Sequence, residues 1–118
     1  MTITNDEINA KIARLHGWSH FLPPAMPAWQ RPTENGMEEM WDLPDWAGGP
    51  ICKAWELVDE MIAANCVVTI ECAIITDGST GFICGAGPDY FSRRNVNDTT
   101  ASRAICLAYI AWKERQAA

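Results

Sequence analysis

The chain has 118 residues, 48% of them apolar, and a formal net charge of −6. That is enough apolar surface for one globular domain spanning residues 1–118. Nine basic against fifteen acidic side chains argue against direct nucleic-acid binding, which needs a concentrated positive face. No apolar run approaches the roughly 18 residues of a membrane span and no secretory leader is visible, so the expectation is a cytoplasmic protein that does not enter a membrane.

The first element is announced by a capping box, Thr4-x-x-Glu7, followed by Ile8, Ile12 and Leu15 at helical spacing, with Gly17 as the stop. These predict a helix over about residues 5–16, with Lys11 and Arg14 on its solvated side. Residues 18–49 then form an insert rich in tryptophan, proline and acid, with Pro23, Pro24, Pro27, Pro32 and Pro44 interrupting any regular period. Its tryptophans argue for order, so we expect an irregular wrap with a helical turn around Glu38–Trp41.

Pro50 opens a second helix to about Ala64, whose apolar stripe reads Ile51, Ala54, Trp55, Val58, Met61 and Ile62. Val67–Thr76 is the strongest strand, with Val68, Ile70, Cys72 and Ile74 on one face and Val67, Thr69, Glu71, Ala73 and Ile75 on the other. Asp77-Gly78 predicts a hairpin returning through Gly81–Cys84, with Gly81, Gly85 and Gly87 as bulge or exit positions. Thr99 or Thr100 caps a last helix whose buried stripe is Ala101, Ala104, Ile105, Ala108 and Trp112. The fold class is therefore α+β: a small antiparallel sheet built on a hairpin, about three helices, and a long irregular Trp/Pro-rich segment.

Sites of chemistry are sparse. Cys52, Cys66, Cys72, Cys84 and Cys106 form no C-x-x-C pair and read as reduced, buried small hydrophobes. His16 and His20 lack the companions a zinc site requires, and no cofactor motif is present. Ser79 has no nucleophile elbow around it, and Glu71 on the mixed strand face has no identifiable proton partner, so we expect no enzyme.

The opening NDEINAKIARLHGW, the hairpin DGSTGFICGAGP and the closing TTASRAICLAYIAWKE resemble the small phage and prophage proteins grouped as the phage ABA sandwich domain. The similarity covers about the first fifteen residues and the last fifty; Phe21–Gly49 matches no motif. What the resemblance implies is a compact domain with helices packed on a small antiparallel sheet, made in an infected bacterium, without established enzymatic activity or cofactor.

Function is then expected on the insert. Between residues 34 and 60, Glu34, Glu38, Glu39, Asp42, Asp45, Glu56, Asp59 and Glu60 face Lys53 alone. Trp29, Trp46, Glu38, Glu39, Asp42 and Asp45 are the candidate contacts for a host protein with a basic surface, the rings as anchors and the carboxylates as steering charges. Such a protein would modulate its host partner, for instance as an inhibitor of a defence factor. Basic residues gather instead at Arg93, Arg94, Arg103, Lys113 and Arg115, a dipolar arrangement that also suits a head-to-tail homo-oligomer. The alternative is a binder sequestering a nucleotide signal, with Tyr90, Arg93 and Arg94 contacting base and phosphate; a third reading is a minor virion or assembly component.

Overall fold

The computed structural model describes residues 3–20, 29–74 and 80–117. Its elements, in chain order, are α1 (Asn5–Leu15), β1 (Ser19–His20), β2 (Trp29–Thr33), β3 (Gly36–Met40), α2 (Ile51–Ala63), β4 (Val67–Ile74), β5 (Thr80–Gly87), β6 (Arg94–Asp98) and α3 (Ala101–Ala117). The fold is α+β, with three helices and two antiparallel three-stranded sheets, ordered β1-β2-β3 and β4-β5-β6. Among the described residues no helix is long and apolar enough to cross a membrane.

Both ends of α1 follow from its sequence. The Thr4 hydroxyl accepts from the Glu7 N–H at 3.2 Å while the Glu7 carboxylate accepts from the Thr4 N–H at 3.3 Å. Gly17 takes φ +86°, which lets the Trp18 N–H turn back to the Ala13 carbonyl at 3.0 Å and close the last turn. Ile8, Ile12 and Ala13 are then fully buried.

Helix α3 is the spine of the domain. It packs on β5 and β6, and receives both α1 and α2. Ala104, Ile105, Cys106, Ala108, Tyr109, Ile110 and Trp112 are all buried, so its apolar surface runs most of the way round rather than along one stripe. On the sheet beneath it, Val68 and Ile70 of β4, Phe82, Cys84 and Ala86 of β5 and Val96 of β6 meet the core. Cys72, expected on that face, lies toward the strand end and is exposed, as is Cys52; Cys66, Cys84 and Cys106 are buried, and all five thiols are free.

Three local readings need correction. The α2 stripe is turned from the expected one: Ala54, Leu57, Val58 and Met61 are buried, while Ile51, Trp55 and Ile62 are exposed, because the helix lies against α3 and β4 with Leu57 at its centre. Gly81 and Gly85 are not bulges or exits but paired positions inside β5, whereas Gly87 is its last residue, where the chain leaves the strand. At Gly85 a Cβ would stand 2.3 Å from the Asn95 amide oxygen and 3.0 Å from the Thr69 hydroxyl, so the bare backbone is what lets those side chains cross the outer sheet face. The polar stretch after Pro88 contains a further strand, β6, paired with β5 from Phe82↔Asp98 to Ala86↔Arg94.

Within the insert, the helical turn expected around Glu38–Trp41 is instead the end of strand β3, which stops at Met40 with Trp41 in the bend that follows. β2 and β3 form a hairpin with Thr33 opposite Gly36, which adopts φ +117°, and Trp29 opposite Met40. Pro23, Pro24 and Pro27 of the insert, the Asp77-Gly78 turn and Ser79 lie outside the described residues.

Candidate functional site: an acidic, tryptophan-walled cleft

The segment after β3 is fixed by one buried side chain on α1. Asn9, only 6% exposed, donates from Nδ2 to Asp45 Oδ1 at 2.9 Å and accepts from the Ala47 N–H at 3.0 Å. The same Asp45 oxygen accepts from the Gly48 N–H at 2.9 Å, and the Asp45 carbonyl accepts from the Gly49 N–H at 3.0 Å. A Cβ at Gly49 would lie 2.5 Å from that carbonyl oxygen, so the turn closes only around glycine. Trp46 drops from this turn into the core, 3% exposed, its ring 5.7 Å from His16 and 5.8 Å from Trp18.

The locked turn leaves a cleft of ≈ 580 Å³ between itself, α1 and the small sheet. Asp6, Asp42 and Asp45 contribute carboxylates to its lining against the single guanidinium of Arg14, with Trp29 and Trp41 as aromatic walls and His20 beside them. The two tryptophans differ. Trp29 is 7% exposed and flanked by its own chain, with Arg14 5.6 Å from its centroid and the His20 ring at 4.6 Å. Trp41 is 64% exposed.

Other rings in this molecule also carry cations from the chain itself: Arg31 over Trp18 at 5.8 Å, Arg93 over Tyr90 at 3.9 Å and Lys113 over Trp112 at 5.4 Å. Among the described residues Trp41 has no such partner, although it stands among carboxylates that would attract one. The acids are not arranged for a metal: among the described residues no group of three or more His, Cys, Asp or Glu side chains is placed to hold an ion.

The fold thus gathers Trp29, Asp42 and Asp45 of the expected contacts and adds Asp6 and Trp41. Glu38 and Glu39 are exposed on β3, opposite Arg31 and Gln30, and Glu38 forms an ion pair with Arg31. Trp46 and Trp29 are corrected: neither is an exposed anchor, because Trp46 is buried against the rings of His16 and Trp18, and Trp29 is covered by Arg14 and His20. The exposed indoles are Trp41 and Trp55, with Trp18 half-buried.

Of the alternative ligand contacts, Tyr90 and Arg93 engage each other, and Arg94 is exposed. The Arg93 guanidinium lies over the Tyr90 ring, donates from Nε to the Tyr90 carbonyl at 2.9 Å and from Nη1 to the Thr69 hydroxyl at 2.5 Å. It is a strut holding its own loop, and the ring face it covers is closed to a base. Glu71 is exposed opposite Ile83.

A second polar cluster binds the helices together. Glu60 of α2 faces His16 Nε2 at 3.0 Å and accepts from the Tyr109 hydroxyl at 2.5 Å and from Lys113 at 3.3 Å. Tyr109 is fully buried, so its hydroxyl must find a partner inside the protein. Burial pushes the Glu60 pKa up, but the Tyr109 hydrogen bond, the His16 charge and Lys113 outweigh it and hold the carboxyl below its ordinary value. Burial first, then the Glu60 hydrogen bond and charge, push the Tyr109 phenol well above its ordinary range. Burial, with a smaller contribution from Cys66, raises Cys84 to about 11, and burial, with Asp45, raises Cys106 to about 12; these are inert thiols.

The Glu60 shift sets a pH dependence. With the folded pKa below the unfolded one, the unfolded chain takes up the proton first, so the stabilisation is complete above the unfolded carboxylate value and is lost as pH falls through the folded one. Melting temperature followed from neutral pH into this acidic range should fall less for Glu60→Gln than for the native chain; parallel curves would remove Glu60 from the account.

No family model matches the chain, and no curated protein or solved structure matches it.

Proposed function

We propose that this chain is a binding protein without catalytic activity, which docks a basic segment of a partner protein in the cleft of Asp6, Asp42, Asp45 and Trp41. On the resemblance to the phage ABA sandwich proteins, the partner is a bacterial host protein with a basic surface, met in the cytoplasm and modulated by being bound. The observation that carries the reading is Trp41: a largely exposed indole on which no cation of the described residues is stacked, standing in a cleft whose charge is dominated by carboxylates. An arginine side chain answers both features, stacking its plane on the ring while its donors reach the acids. The rigid Asn9–Asp45 turn supports it further, because a contact surface that is already ordered loses less entropy on binding.

A labelled oligoarginine peptide tests the cleft. Trp41→Ala should weaken its binding by about tenfold, the loss of one hot-spot anchor. Asp42→Lys should slow association and flatten its salt dependence. Glu56→Lys makes the same change in net charge at an exposed position on α2 away from the cleft lining, and should leave affinity within about twofold, as rim charges do. Equal losses for Asp42→Lys and Glu56→Lys would mean that bulk charge alone attracts the peptide, and the cleft would have no part in it.

A further inference from the structure

The β5–β6 connection presents a feature that the cleft does not use. Phe91 is 95% exposed, yet the turn that carries it is closely tied. Asp89 Oδ1 accepts from the N–H groups of Phe91 and Ser92, both at 2.9 Å, and its Oδ2 accepts from the Ser92 hydroxyl at 3.2 Å. Arg93 clamps the turn to Tyr90 and Thr69, and the Tyr90 ring meets Phe91 edge-on at 5.6 Å. Beneath it, a Cβ at Gly87 would stand 2.6 Å from the Arg93 Cα, so the strand backbone approaches the turn as closely as glycine allows. The phenyl ring is therefore held out by its surroundings. Arg94 follows it, exposed at the start of β6.

We infer that this basic, aromatic knob docks in the acidic, aromatic cleft of a second copy of the chain, giving a head-to-tail contact. The inference rests on the cleft being a receptor for cationic side chains, and names one occupant for it: Phe91 against Trp41, with Arg94 among Asp6 and Asp42. The two surfaces are complementary in charge and in kind, and both are fixed before they meet. Neither Phe91 nor Arg94 lines the cleft of its own chain. Asp98, at the far end of β6, is tied through Arg103 to Asn5 at the start of α1, and a strand rise of about 3.3 Å per residue places Arg94 roughly 13 Å from Asp98. Phe91 comes before that remote end of β6, and α1 packs on α3. A contact between two different surfaces propagates into a chain or ring, unlike a two-fold dimer.

Sedimentation velocity on the full chain tests this. At low salt the average mass should rise with concentration, and added salt should reverse the rise. Phe91→Ala, Arg94→Glu and Asp42→Lys should each weaken association by about tenfold or more. The deciding sample mixes Arg94→Glu with Trp41→Ala, each shown folded by circular dichroism: one intact cleft faces one intact knob, the introduced glutamate faces an acidic cleft that lacks its ring, and a discrete heterodimer that does not extend should form. A native chain that stays monomeric throughout, or a mixture that stays monomeric, overturns the inference. In that event retained, Trp41-dependent oligoarginine binding leaves the cleft reading standing; loss of the peptide as well removes both.

Discussion

Arg103→Ala should lower the free energy of unfolding by about 3–5 kcal/mol, the cost of breaking a largely buried ion pair from one side. Arg103 Nε donates to Asp98 Oδ1 at 3.0 Å, with the two side chains 12% and 14% exposed. Its terminal nitrogens continue to the Asn5 side-chain oxygen and to the Ile3 carbonyl, the latter at 2.8 Å. One guanidinium thus joins the end of β6, the first turn of α3 and the start of α1. Truncation leaves Asp98 and two oxygens short of a donor in a poorly hydrated corner, and the loss is a large part of the roughly 5–15 kcal/mol that holds an ordinary domain together. In urea the midpoint should fall while the slope is unchanged. Arg103→Lys should recover little, since an ammonium cannot reach three directions from one plane. A midpoint shift equivalent to less than about 1 kcal/mol would mean that water replaces the guanidinium and the strut has no energetic role.

That strut was invisible to sequence reading for the same reason that other parts were. Elements whose signal is local came through: the Thr4–Glu7 box, the Gly17 stop, the β-branched run of β4, and the Ala104, Ile105, Ala108 and Trp112 positions of α3. Strand β6 did not, because it is a sheet edge: Asn95 and Asn97 face water and only Val96 meets the core, so no alternation can be seen. In the hairpin of β2 and β3, Pro32 looked like a breaker. It lies beyond the reach of β1, which pairs only with Gln30 and Trp29, and an open edge tolerates a missing donor. Asn35-Gly36 was the signal that could have found this turn.

The cleft was half legible. Asp42, Asp45 and Trp29 stood out as charge and aromatic rings close in sequence, but Asp6 joins them only through the packing of α1. Nothing local distinguishes Trp41 from Trp46, since each is an indole beside carboxylates. What separates them is Asn9, remote in sequence, which holds Asp45 and Ala47 so that the ring between them turns inward.

The two tryptophans should accordingly fail in opposite ways. Trp46→Ala removes a ring that is 3% exposed and should cost about 3–5 kcal/mol, the range for deleting a buried aromatic side chain. The damage should spread to the small sheet, because Trp46 supports Trp18, and Trp18 receives Arg31 from β2. Cleavage by a glutamate-specific protease at Glu38 and Glu39, on the strand paired with β2, should therefore accelerate in native buffer, an effect of local opening in that region. Trp41→Ala should leave stability within about 0.5 kcal/mol, as for other surface changes, and weaken oligoarginine binding by about tenfold. A Trp46→Ala variant as stable as the native chain but unable to bind would make that ring a contact after all, and would reverse the assignment of wall and core on which the cleft is built.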